Sequence, residues 1–246
     1  MRNKDAWKPS KYVYKKGRLI ASRDRSEVGV GSRFAADLIA GLYGAYLPRY
    51  AQGRLIDLGC GKVPLYEAYR DSVTDTICVD WSFSPHRNEY SDYECDLTQT
   101  LPFRDGEFDT LILSDVLEHI PEPAKLWQEM HRIAAPQGKV IMNVPFYYPL
   151  HEEPYDYYRY SEHALRRFAQ LAEFRILFLK PLGGSPEIIT DMFAKHLPFI
   201  PLVGPGLSLA VQCLAGACLK TGIGRRLSEQ TSRKLPFGYF LVAEKL

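Results

Sequence analysis

The stretch Leu55-Ile56-Asp57-Leu58-Gly59-Cys60-Gly61 constrains this chain most. An apolar run ends in an acid and passes straight into two glycines. A buried strand that stops this way must turn sharply, and glycine permits the turn. It also lets a ligand approach the backbone where a Cβ would clash. Pro64 follows at a place suited to the first turn of a helix, where its missing N–H would be unpaired anyway. The segment therefore reads strand, tight turn and short helix over residues 65–70.

The same alternation continues along the chain. Residues 76–80, 108–114 and 139–144 are apolar strand candidates, and 93–97 is a weaker one. Phe34, Leu38, Leu42 and Tyr46 recur every fourth position, which predicts a helix over 32–50 stopped near Pro48. A second helix is expected over 124–135, with Leu126, Trp127, Met130 and Ile133 on one side. Pro136-Gln137-Gly138 reads as a turn. A helix after Ser161 and strands at 174–179 and 237–243 complete the pattern, and no internal repeat is present. Near-continuous apolar strands alternating with helices imply an α/β chain with a parallel sheet covered on both faces. The crevice at the carboxyl ends of such strands is the expected place for a nucleotide-like ligand. Asp80 ends the second strand, 19 residues after Gly61. A carboxylate there is placed to accept both ribose hydroxyl hydrogens, a feature that suits NAD as well as S-adenosylmethionine.

Composition narrows the partners. The 246 residues are 46% hydrophobic and 24% charged, with a formal net charge of only +2, so the whole chain is no obvious polyanion binder. The charge is uneven: residues 1–25 hold nine Lys or Arg against two Asp. Residues 1–28 are therefore expected as a basic N-terminal arm, solvated or touching anionic lipid, phosphate or RNA. Cys60, Cys78 and Cys95 sit in apolar runs and read as reduced core residues of a cytoplasmic protein. No metal-ligand spacing appears, and no metal is expected. The basic start lacks an apolar stretch, so no secretory signal is expected. Residues 197–219 carry no charge but are broken by Pro198, Pro201, Gly204, Pro205 and Gly206. Only 207–219 forms a clean helix candidate, roughly 20 Å long against a bilayer core of about 30 Å. A buried core or dimer helix, or an interfacial hairpin, fits this better than a full span.

With these elements in order, the sequence resembles class I S-adenosylmethionine-dependent methyltransferases of the broad type 11 group. Asp57-Leu58-Gly59-Cys60-Gly61 resembles their first motif, and Val79-Asp80, Cys95-Asp96-Leu97, Leu101-Pro102-Phe103 and Glu107-Phe108-Asp109 follow in the family's order. Asp115-Val116-Leu117-Glu118-His119-Ile120 resembles the loop after the fourth strand. The resemblance implies a Rossmann-like seven-stranded, mostly parallel sheet with helices on both faces. Its last strand would be antiparallel, with a hydrophobic insertion at about 185–233 before it, in a domain spanning 29–246. It implies S-adenosyl-L-methionine as cofactor. Asp57, Leu58, Gly59, Cys60 and Gly61 would line the methionine and ribose part. Asp80 and Trp81 would stand at the ribose, Asp96 and Leu97 at the adenine, and Ser114 and Asp115 beside the methionine end. The first motif commonly continues to a further glycine two residues on, where this chain has Val63 between Lys62 and Pro64.

A second segment, from Pro145 to Ser161, follows the fifth strand and is dense in Tyr, Pro, His and acid. Its H-x-x-P-x-D-x-x-R-[YF]-[ST] pattern resembles methyltransferases associated with glycan and cell-envelope biosynthesis. His151 and His119 are candidate general bases, since an imidazole titrates near neutral pH. Tyr148, Asp156, Tyr158 and Arg159 are candidate substrate contacts, with Arg159 as an anion clamp. Read structurally instead, Asp156 and Arg159 form an internal ion pair. Ser161 reads as a helix N-cap, and His131 and His163 as surface residues. The expected function is O-methylation of a small or lipid-linked, saccharide-type acceptor. The expected location is the cytoplasm, with peripheral membrane contact through 197–219. An oligomer is compatible with this, and nucleic acid is not an expected partner. Three alternatives remain: an RNA methyltransferase using the basic arm, a cofactor-binding scaffold without catalysis, and, more distantly, a nicotinamide enzyme.

Overall fold

The computed structural model describes residues 1–84 and 89–246. The chain opens with a hairpin of β1 (Tyr12–Lys15) and β2 (Arg18–Ala21), then α1 (Arg33–Tyr50). β3 (Arg54–Leu58), α2 (Tyr66–Tyr69), β4 (Asp75–Asp80), β5 (Tyr93–Glu94) and β6 (Phe108–Ser114) follow. Then come α3 (Pro123–Ile133), β7 (Ala134–Pro145), α4 (Glu162–Leu171) and β8 (Phe174–Pro181). α5 (Ser185–His196), α6 (Gly204–Leu219) and α7 (Gly222–Ser232) lie between β8 and the last strand, β9 (Gly238–Lys245).

Seven strands form one sheet in the order β5-β4-β3-β6-β7-β9-β8. All neighbours are parallel except β9, which is antiparallel to both β7 and β8. This is the expected Rossmann-like sheet, and its order reverses between β3 and β6. There the two outgoing connections diverge and open a crevice beyond the strand ends. Alternate residues feed opposite faces, as the two-residue period of a strand requires. Ile56, Leu58, Leu111, Leu113, Val140 and Met142 pack under α3 and α4. Leu55, Ile112, Ile141, Phe240 and Val242 pack under α1, the hairpin and Ile188 of α5.

Several sequence expectations are corrected, while α1 reaches Tyr50 as expected, with Pro48 inside its last turn. A proline there breaks only one backbone bond and ends nothing by itself. Pro136-Gln137-Gly138 is no free turn but an irregularity within β7, where Gln137 has φ 62° and the pairing with β6 jumps. β5 is two residues long, so Cys95, Asp96 and Leu97 follow the strand as a loop. The N-terminal segment is not a solvated tail. Tyr12, Leu19, Ala21 and Val28 are all buried in the core beneath α1. Nor is α6 a buried core helix. Its buried residues are Gly204, Ser208 and Gln212, while Leu207, Leu209 and Leu214 face outward. The polar side is turned inward because it has partners there: Ser208 donates to the Ala194 carbonyl at 2.7 Å, and Gln212 Nε2 donates to the Val30 carbonyl at 2.9 Å.

Candidate functional site

The crevice opens into a cavity of about 740 Å³. Asp57, Gly59, Cys60, Gly61, Asp80, Trp81, Asp96, Leu97, Ser114 and Asp115 all line it, as does His119. The end of β3, the end of β4 and the loop after β5 thus bring Asp57, Asp80 and Asp96 to one space. Leu58 is the exception among the expected cofactor residues, since it points the other way into the core under α3.

The turn after β3 is shaped for close approach. Gly59 has φ 74° and Gly61 φ 48°, both in the left-handed region. A Cβ on Gly59 would lie 2.6 Å from Val116, so only glycine fits. The Gly59 and Cys60 N–H groups donate to the Val79 carbonyl at 2.8 and 2.9 Å, and Gly61 N–H donates to Asp80 Oδ2 at 3.1 Å. Val63 stands where the family's further glycine is common, and it too is left-handed, at φ 51°. A β-branched residue is strained there. Its side chain is fully buried, and Trp7 Nε1 donates to its carbonyl at 3.2 Å. The turn keeps its shape without the glycine, held from both sides.

Asp57 is 3% exposed. Burial, and secondarily the neighbouring Asp80, push its pKa up to about 7. Asp115 adopts φ 54° and is held by two partners. Lys11 Nζ lies 2.9 Å from its carboxylate, and Asn143 Nδ2 donates to it. The Asn143 side-chain oxygen accepts from Tyr43 at 2.7 Å and from Ser114 at 3.0 Å. Burial opposes the charge on Lys11, but Asp115 outweighs it and the pKa is raised. Ser10, Lys11, Ser26 and Glu27 also line the cavity, and Glu27 pairs with Lys62 at 2.9 Å. The N-terminal segment therefore covers the crevice. A motif scan cannot see this, because the segment reaches the site only through the tertiary fold.

The opposite wall is the segment from Tyr147 to Tyr160. Tyr157 and Tyr158 N–H groups both donate to the Glu118 carbonyl, which straps it across the end of the loop after β6. Glu152, Glu153, Tyr155 and Tyr157 line the cavity, and Tyr155 meets Trp81 edge-on at 5.1 Å. His119 and His151 come together here with ring centroids 4.8 Å apart. His151 Nδ1 lies 3.3 Å from Asp156 Oδ2, so Asp156 orients this imidazole. Burial, then His119, lower the His151 pKa.

The residues expected to touch substrate are engaged within the strap and with its neighbours. Arg159 holds Asp156 through two bonds of 2.5 and 2.7 Å and also donates to the Tyr148, Pro149 and Tyr158 carbonyls. Its fork is spent on the strap itself, and it holds the Asp156 pKa down at about 2. Tyr148 stacks under Lys195 of α5, and Tyr158 donates to the Pro121 carbonyl at 2.9 Å. None of these four lines the cavity. Ser161 caps α4 by accepting from Ala164 N–H at 3.3 Å.

An adenosine-bearing methyl donor fits these residues. The cavity is within the usual range for cofactor sites, carboxylates stand at or near the ends of three strands, and a glycine turn allows backbone contact where a Cβ would clash. Comparison with known proteins agrees. Residues 56–142 match the family model described as a methyltransferase domain, Methyltransf_11. A demethylmenaquinone methyltransferase of Renibacterium salmoninarum is 30% identical over 36% of this chain and 40% of its own length. A ubiquinone biosynthesis O-methyltransferase of Pseudomonas aeruginosa is 28% identical over 37% of this chain and 43% of its own. The chain thus matches less than half the length of these relatives. A solved S-adenosylmethionine-dependent methyltransferase from Mesorhizobium loti superposes with a TM-score of 0.54 at 14% identity, covering 86% of this chain and all of that one. Residues 56–142 carry the signature of that methyltransferase domain family, set in the fold of a solved S-adenosylmethionine-dependent methyltransferase.

Proposed function

We propose that the protein is an S-adenosylmethionine-dependent methyltransferase acting on a hydroxyl of a small or lipid-linked acceptor. The observation that carries this reading is the single cavity wall shared by the three strand-end carboxylates, the glycine turn and His119. When bound, S-adenosylmethionine supplies an electrophilic methyl group on sulfur. Asp80 would hold the ribose hydroxyls, Asp96 the adenine side, and Asp57 with Gly59 and Gly61 the amino-acid end. The N-terminal segment and the strap close over the cavity from two sides and exclude water, which strengthens polar contacts inside. His119 is tied at Nδ1 to the Tyr155 carbonyl at 3.0 Å. With a hydrogen at Nδ1, its Nε2, which lies buried between Glu118 and Glu152, carries the lone pair that would take the acceptor's proton as the oxygen gains the methyl group.

The lipid-linked acceptor draws support from the α5–α7 cap. Phe193, Phe199, Leu202, Leu214 and Ile223 are each more than half exposed. Lys220, Arg225 and Arg226 stand exposed beside this apolar face. Such a face with a basic border suits an anionic membrane surface. Among the described residues no single helix is long and apolar enough to span a bilayer, and α6 and α7 meet at 95°. Lys195 stacked 3.5 Å over Tyr148 joins the cap to the strap beside the cavity. The relatives' names concern quinones, so the acceptor panel includes polyprenylated phenols beside lipid-linked saccharides. Each is offered in vesicles with methyl-labelled S-adenosylmethionine, and products are read by mass spectrometry. Gain of one methyl on an acceptor oxygen is the expected result. Cofactor binding with transfer only to nitrogen or carbon acceptors would overturn the O-methylation reading.

A further inference from the structure

Glu118 is fully buried, yet neither carboxylate oxygen has a hydrogen-bond partner among the described residues. A buried carboxylate without partners is costly and calls for a proton or a cation. His119 Nε2 is likewise buried without a hydrogen-bond partner. It lies 4.0 Å from Glu118 Oε1, and His151 Nε2 lies 3.8 Å from the same oxygen. One ligand atom from each of the three residues lies within 4.8 Å of the others.

The outer contacts explain why these atoms converge. His119 Nδ1 faces the Tyr155 carbonyl at 3.0 Å, an acceptor that requires hydrogen on Nδ1. His151 Nδ1 faces Asp156 Oδ2 and the Pro149 carbonyl, both at 3.3 Å. Both imidazoles are thereby set with the Nε2 lone pair toward Glu118, the arrangement in which outer carboxylates and carbonyls orient metal-bound histidines. Arg159 in turn pins Asp156. The strap's His, Asp and Arg thus read as ligand, orienting acid and lock.

We infer that Glu118, His119 and His151 form a divalent metal site of the two-histidine, one-carboxylate type, set behind the part of the cavity wall that His119 forms. Donors around a tetrahedral ion with bonds near 2.1 Å sit roughly 3.4 Å apart, so contractions of about half an ångström in the two Glu118 pairs and of up to about 1.4 Å across the set complete it. Two imidazole nitrogens and one oxygen favour zinc, cobalt, manganese or iron over magnesium or calcium. Three protein ligands leave an ion with coordination positions to fill, and His119 is the ligand that borders the cavity. If the cavity holds the methyl donor, as proposed above, an ion here would bind the acceptor hydroxyl and take over from a free imidazole the task of acidifying it. The site itself does not depend on that reading.

The test uses cobalt(II) alone, followed through its visible d–d absorption, with S-adenosylhomocysteine binding measured on the same samples. Wild-type protein is expected to bind one cobalt per chain with bands of a four- or five-coordinate ion. Glu118→Gln and His151→Ala are each expected to weaken cobalt binding by more than about 100-fold while S-adenosylhomocysteine binding persists, which shows that the variants are folded. No cobalt binding by wild type, or binding unchanged in both variants, would overturn the site. Cobalt binding without S-adenosylhomocysteine binding would remove the methyltransferase reading and leave the metal site standing.

Discussion

Asp57 is the residue whose charge the fold disturbs most usefully. Its pKa is raised from 3.8 to about 7 by burial and by Asp80. Nearby, the Cys78 thiol and burial push the Cys60 pKa up, and burial pushes that of Tyr69 up. A raised folded pKa stabilises the protein fully below the ordinary carboxylate range, and that contribution is lost as pH rises through about 7. The ligand-free protein should therefore melt lower relative to Asp57→Asn at about pH 8 than at about pH 5. A cationic ligand beside Asp57 favours its ionised form. Binding of S-adenosylmethionine at about pH 6 should thus release protons, seen as a dependence of the binding heat on buffer ionisation enthalpy. Asp57→Asn should abolish that dependence, and its persistence would assign the proton elsewhere. The acids were legible in the sequence because each stands at or just beside the carboxyl end of an apolar run. Glu118, His119 and His151 were not legible as a metal set. Thirty-two positions separate His119 from His151, and only the strap closes the gap.

The elements around the crevice act as two covers on a rigid floor. Asn143 on β7 ties that floor together, accepting from Tyr43 of α1 and Ser114 of β6 and donating to Asp115. Asn143→Ala would leave these buried groups short of partners and should cost about 1–3 kcal/mol, measured by urea unfolding. A change below about 0.5 kcal/mol would mean that water replaces the amide. Strand and helix placement followed from periodicity, since each inner strand serves two packed faces. The cover formed by residues 1–28 did not follow. Its lysines and arginines look like a solvated run, while Tyr12, Leu19, Ala21 and Val28 anchor it beneath α1. Of the two readings of Asp156 and Arg159, the structure displays the internal ion pair. An ion pair three residues apart is cheap to form locally, and here it serves the strap.

At the scale of the molecule, the α5–α7 cap is the part whose exposure the sequence did not reveal. Absence of charge over residues 197–219 suits a core helix as well as an exposed one. The direction was set by Ser208 and Gln212, whose hydrogen bonds turn the polar side inward. Purified protein is expected to float with vesicles containing anionic lipid and to be released by salt, as a basic border implies. The double substitution Leu207→Asp and Leu214→Asp should abolish flotation without lowering cofactor affinity. Unchanged flotation in that variant would remove the cap from membrane contact.

The central claim is that the crevice between β3 and β6 binds S-adenosylmethionine. Calorimetric titration of S-adenosylhomocysteine and of NAD into wild type and Asp80→Ala tests it most directly. The account predicts micromolar binding of S-adenosylhomocysteine to wild type, a loss of more than about tenfold in Asp80→Ala, and no binding of NAD. Wild-type protein that binds NAD, or that binds neither ligand, would contradict it.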